Sequence, residues 1–287
     1  MPRLAAVLAP LAVLALAAPA AAGAATWRLA REIPIAHKAS VATFLDDQHG
    51  ITAGYAGTKF FTADGGKTWQ PGVNQSMCRY GVEAVPGLAV TAGNAGDVRV
   101  STDGGAHWQR AASFGPGVPR HARFLSFLDA HRGVIGAQEE LGITADGGQS
   151  WQKLASPPQG GIVAGVSLSE EGGRAVLRVL DEDGALWRSD DGGKTWAAAP
   201  SPLGKAVLES LGGPHAALRF VGTEGVLAAV VDAGGAAVGR VYRTRDGGKS
   251  WAEEEVAGLP ASALTLSADG RLLTSLDAQA VRLYRME

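Results

Sequence analysis

The 287-residue sequence carries 40 glycines, 46% hydrophobic and 19% charged residues, the composition of a folded globule rather than a disordered or fibrous chain. Its formal net charge of -2 excludes a nucleic-acid groove or membrane anchor built on a chain-wide basic excess. A single cysteine, Cys78, excludes an intrachain disulfide and any cysteine-cluster metal site, so stability must come from the core.

Residues 1–25 open with Arg3, continue as an apolar run from Leu4 to Ala18, and end in small residues through Ala20, Ala21, Ala22 and Gly23. That order is the pattern of a secretory signal peptide, with cleavage expected near Ala22 or Ala25. The run is shorter than the roughly 20 residues that cross a bilayer, and no cysteine follows it to receive a lipid. Residues 26–287 are therefore expected to form one domain, free in the periplasm or outside the cell, with no membrane span. Cys78 is expected to be buried and inert in that compartment.

One eight-residue phrase then recurs five times: Thr62 to Trp69, Ser101 to Trp108, Thr144 to Trp151, Ser189 to Trp196 and Thr244 to Trp251. Each copy has Ser or Thr, an aspartate two residues on (Asp64, Asp103, Asp146, Asp191, Asp246), then Gly-Gly, then tryptophan. The aspartate accepts hydrogen bonds from the backbone just after it, and the glycines supply positive φ without steric cost, so the phrase reads as a pinned hairpin corner. The tryptophan that follows buries on the order of 200 Å² against the neighbouring sheet.

The tryptophans Trp69, Trp108, Trp151, Trp196 and Trp251 lie 39, 43, 45 and 55 residues apart, the period of a four-stranded propeller blade. Short β-prone runs precede each corner, such as Phe60-Phe61-Thr62 and Val98-Arg99-Val100. Further strand pairs come before these, among them Val41 to Leu45 with Gly50 to Gly54 and Val163 to Leu168 with Arg174 to Leu180. Thr26-Trp27-Arg28-Leu29 resembles the tail of a corner one period before Trp69, while the residues after Trp251 hold three strands and no corner. The N-terminal strand is thus expected to complete the C-terminal sheet, giving an all-β, six-bladed propeller with no open edge between first and last sheets.

The recurring phrase resembles the Asp box, or BNR repeat. Over nearly all of residues 26–287 the chain is similar to the photosystem II assembly/stability factor-like group of exported propellers, and more distantly to the sialidase superfamily. The first resemblance implies a non-catalytic scaffold that binds a protein partner or an anionic ligand in the cell envelope. The second implies the alternative, a sialidase-like glycoside hydrolase, which needs an arginine triad, a Tyr/Glu nucleophilic pair and an aspartic acid. Arg31-Glu32-Ile33-Pro34 only partly echoes the sialidase opening, and Tyr80 with Glu83 is the one pair near an inner strand that could serve.

Propeller topology opens a second face opposite the box corners, at the starts of the innermost strands. There the sequence places Lys38, Arg79, Arg120, His121 and Arg123, an anion-binding funnel of groups suited to carboxylate or phosphate. His37, His121 and His215 fall in alternating blades but out of register, so no metal is expected. The box aspartates are expected to cap turns rather than bind calcium, and Asp181-Glu182-Asp183-Gly184 to be a hairpin turn. His49, His107 and His131 have no Ser or Cys partner at triad spacing. No cofactor, no nucleic-acid partner and a monomeric state are expected.

Overall fold

The computed structural model describes residues 26–54, 58–73, 79–93, 96–112, 118–119, 121–137, 140–157, 162–203, 216–232, 234, 236–260 and 262–287, and within these the side chains of Arg79, Tyr80 and Ala112 lie outside the description. Residues 1–25, where the signal peptide is expected, and Cys78, Arg120 and His215 fall outside it.

The first strand is β1 (Trp27–Pro34). Blade 1 is β2 (Val41–Phe44), β3 (Gly50–Ala53), β4 (Lys59–Thr62) and β5 (Gln70–Pro71). Blade 2 is β6 (Arg79–Val85), β7 (Leu88–Gly93), β8 (Val98–Ser101) and β9 (Gln109–Ala112). Blade 3 is β10 (Phe124–Phe127), β11 (Gly133–Ala137), β12 (Glu140–Thr144) and β13 (Gln152–Leu154). Blade 4 is β14 (Val163–Glu171), β15 (Arg174–Asp181), β16 (Leu186–Ser189) and β17 (Ala197–Ala199). Blade 5 is β18 (Ala216–Val221), β19 (Glu224–Asp232), β20 (Ala237–Thr244) and β21 (Ala252–Glu254). The sixth sheet joins β22 (Ala263–Leu266), β23 (Leu272–Leu276) and β24 (Ala280–Met286) to β1, in the order β1-β24-β23-β22.

Six antiparallel four-stranded sheets result, and the ring closes as the sequence predicts. Trp27 pairs with Met286 and Pro34 with Ala280, with one register irregularity between Leu29 and Arg31. Trp27 is buried among Val226 and Val241 of blade 5 and Leu273 and Tyr284 of blade 6, and its indole N–H donates to Glu254 at 2.7 Å. The long edge strand β1 thus docks on two blades at once, which fixes its register by side-chain burial as well as by the ladder.

Each box is a turn held by its own side chains. Thr62 Oγ1 donates to Asp64 Oδ1 at 2.8 Å and accepts the Gly66 N–H at 2.8 Å, while Asp64 accepts the Thr68 N–H at 3.0 Å and the Thr68 hydroxyl at 2.6 Å. Gly65 and Gly66 take φ of 73° and 84°, a region that side-chain-bearing residues enter at a cost. The outermost strand starts one residue after each tryptophan.

Three blades add a motif that the spacing alone did not reveal. Phe44 and Phe127 end innermost strands, Phe220 is next to last in its own, and the three lie directly opposite Gly50, Gly133 and Gly225. A Cβ on any of those glycines would fall 2.5–2.6 Å from the phenyl ring. Each ring meets its own blade's tryptophan edge-on, at centroid distances of 6.2, 6.1 and 5.7 Å to Trp69, Trp151 and Trp251.

Candidate functional site

Because successive strands run antiparallel, the hairpins joining first to second strands share one face of the disc with the box corners. The starts of the innermost strands open on the other face. Lys38 precedes β2, Arg79 begins β6, and His121 and Arg123 precede β10, so these four sit on that second face in blades 1, 2 and 3. Arg123 is half-buried, its N–H donates to the Gly136 carbonyl at 3.1 Å, and it lines the central channel; His121 is exposed. A Cβ on Gly81 would meet the Arg123 carbonyl oxygen at 2.5 Å, so β6 and the start of β10 approach closely there. His37 does not join them. Its ring stacks on Phe60 at 3.9 Å, its Nε2 lies 2.7 Å from Thr52 Oγ1, and burial pulls its pKa down, which favours the neutral imidazole. Among the described residues no cluster of three or more His, Cys, Asp or Glu side chains suits a metal.

The channel is a narrow cavity of about 50 Å³ between the six innermost strands. Polar side chains lace those strands together: Ser126 Oγ accepts the Leu168 N–H at 3.0 Å, Ser167 Oγ accepts the Phe220 N–H at 3.0 Å, and Thr265 donates to the Ala42 carbonyl at 2.5 Å. Toward the box face the channel is plugged by Arg219. From β18 its guanidinium donates to Glu83 of blade 2 at 2.9 Å, to Ser126 Oγ at 3.1 Å and the Phe127 carbonyl at 2.8 Å in blade 3, and to the Ala268 carbonyl of blade 6 at 2.7 Å. One side chain thereby ties four blades. Burial pushes the Glu83 carboxyl up to about 7 against the pull of Arg219.

This geometry removes Glu83 from the glycosidase alternative. A carboxylate locked on a buried guanidinium across the channel has no approach for a sugar, and a nucleophilic pair with Tyr80 would need it free. The Tyr80 side chain lies outside the described residues. The signal for Arg219 was present but unread: an arginine inside the apolar strand Ala216–Val221 is a charge that must be paired if buried.

The box aspartates are occupied by their own turns. Hydrogen bonds from Thr68, His107 and Thr195 hold Asp64, Asp103 and Asp191 down to about 2, so these groups are spent as turn-capping anions. Asp181 likewise accepts the Ala185 N–H at 2.8 Å and the Trp187 indole N–H at 3.1 Å, making residues 181–184 a hairpin turn.

The family model for the BNR/Asp-box repeat matches residues 60–71 and 187–198, two of the corners just described. The chain is a six-bladed β-propeller that carries BNR/Asp-box repeats. Among solved structures, the propeller is similar to YCF48 bound to D1 peptide, with a TM-score of 0.57 and 18% identity over 93% of this chain and 99% of that one. It is also similar to YCF48 from Cyanidioschyzon merolae, with a TM-score of 0.54 and 18% identity over 91% of this chain and 98% of that one. An ancestral GH74 enzyme matches with a TM-score of 0.54 and 14% identity over 91% of this chain but only 36% of its own. At these identities the likeness is one of fold. No curated protein matches the chain.

Proposed function

We propose that this propeller is an exported, non-catalytic scaffold that binds a protein partner in the cell envelope through the face opposite the box corners. The observation that carries the reading is its end-to-end likeness to a propeller solved with a bound peptide, covering 93% of one chain and 99% of the other. The basic groups Lys38, Arg79, His121 and Arg123 on adjacent blades, with Arg120 in the same stretch of sequence, supply donors for carboxylates of that partner. The secretory pattern of residues 1–25 supports export, and a monomer is the working state of the scaffold. Affinity capture from an envelope fraction tests the reading: one partner should be retained by the wild-type protein and lost by R79E/R123E. Equal capture by both proteins would defeat the assignment of this face.

A further inference from the structure

Three of the boxes have a second role beyond pinning their own turns, because each packs a glycine closely onto the preceding blade. A Cβ on Gly66 would fall 2.7 Å from Ile33 of the sixth sheet, and one on Gly105 3.1 Å from Phe61 of blade 1. Gly193 would meet Leu154 of blade 3 at 3.0 Å. Arginines of the preceding blade also clasp the corner backbone: Arg31 donates to the Gly65 carbonyl at 2.5 Å, and Arg178 to the Gly247 carbonyl at 3.0 Å. The corners of blades 1 and 5 thus offer a carbonyl oxygen to the blade before them on this face.

Among the described residues no such corner stands at the interface between blades 5 and 6. The third and fourth strands of the sixth sheet, β24 and β1, are not joined by a hairpin; Glu287 N–H donates to the Thr26 carbonyl at 3.1 Å where the corner would stand. A cavity of about 720 Å³ takes its place, and Val226 and Arg243, the blade 5 residues that a box would cover, line it. Arg219, Arg245 and Arg271 line it too, against the carboxylates of Glu224, Asp269 and Glu287. Those carboxylates are engaged: Glu224 with Arg243 at 2.7 Å, Glu287 with Arg28 at 3.1 Å, and Asp269 with the Ser267 hydroxyl at 2.5 Å and the Arg271 N–H at 3.0 Å. Among the described residues Arg245 and Arg271 form no ion pair, and the nearby Glu254 already accepts the Trp27 indole. Two exposed guanidinium groups therefore flank this cavity.

We infer that the notch between blades 5 and 6 on the box face is a binding site for an acidic peptide segment, with Arg245 and Arg271 receiving its carboxylates. The site lies on the opposite face from the proposed partner surface and does not depend on it. The chemistry is that of bidentate arginine recognition of carboxylates, with the cavity replacing a missing intramolecular corner by one supplied from outside.

Fluorescence anisotropy of a fluorescein-labelled hexaglutamate peptide against the intact propeller tests this at 0.15 M salt, roughly physiological ionic strength. R245E/R271E should bind at least about tenfold more weakly, the equivalent of ~1.4 kcal/mol. R132E/K194E, an equal charge change on the same face at blades 3 and 4, should shift affinity by less than about threefold, which corresponds to under ~0.7 kcal/mol. R245Q/R271Q, which introduces no repulsion, should also weaken binding, and thermal melts of all variants should superimpose. The inference is overturned by absence of peptide binding to the wild type, by equal weakening in R132E/K194E, or by a loss confined to K38E/R123E on the other face.

Discussion

Replacing Arg219 with methionine keeps most of the side-chain volume but withdraws five N–H donors from the centre of the ring. Four acceptors then lose their partner: the Glu83 carboxylate, Ser126 Oγ and the carbonyls of Phe127 and Ala268. Both charged side chains are buried, at 6% and 10% exposure, so water cannot fully substitute. Breaking such a pair by removing one partner costs about 3–5 kcal/mol. For a domain of this size that amounts to a fall in melting temperature of roughly 10 °C, read by calorimetry or circular dichroism. The double variant R219M/E83L, which removes both charges, should recover much of the loss, because an apolar pair of similar volume is often as stable as a buried ion pair. A drop below about 1 kcal/mol for R219M, the scale of an exposed ion pair, would refute the plug as a tie between blades, and strictly additive losses in the double variant would refute the coupling.

Glu83 also sets a pH dependence. Its folded value of about 7 lies above the ordinary 4.5, so its contribution to stability is fully present below pH 4.5 and is lost as pH rises through 7. Denaturant unfolding of E83Q at pH 5 and pH 8 should show that slope removed. The box aspartates act in the opposite sense: Asp64, Asp103 and Asp191, held near 2, stabilise above pH 4 and lose that contribution as pH falls toward 2, visible as an acid limb in thermal melts. Thr144→Val strands the buried Gly148 N–H that now donates to the Thr144 hydroxyl at 2.9 Å, and should cost about 1–3 kcal/mol by denaturant titration. Gly133→Ala drives a methyl to 2.6 Å from the Phe127 ring, which is wedged against Trp151, and should cost about 1–3 kcal/mol.

The architecture was legible because its determinants repeat. Five copies of Ser/Thr-x-Asp-x-Gly-x-x-Trp fix a corner chemically, and the distance from Trp27 to Trp69 equals one more period, so closure by β1 could be read without coordinates. The binding face was placed by strand direction alone, which positions Lys38, Arg79, His121 and Arg123 but says nothing about where their side chains meet. The packing of His37 was not legible because its neighbours in space, Phe60 and Thr52, come from two other strands of its own blade. The role of Arg219 was not legible because it sits near the far end of β18, away from the strand starts, and finds Glu83 136 residues away. That no corner follows Trp251 could be read in the sequence, but the side chains that line the notch between blades 5 and 6, Arg245 and Arg271 among them, come from separate blades and could not.

Every assignment of faces, channel and notch depends on β1 sealing the sixth sheet, and a cross-link tests that directly. Arg28 and Arg285 are paired across β1 and β24, where Cα atoms lie about 4.5–5.5 Å apart, within disulfide range. In a C78S background, R28C/R285C should form an intramolecular disulfide in the native protein, detected by intact mass and non-reducing electrophoresis, and should raise the melting temperature. Two free thiols in the folded protein, or cross-linking only between molecules, would contradict the closed ring.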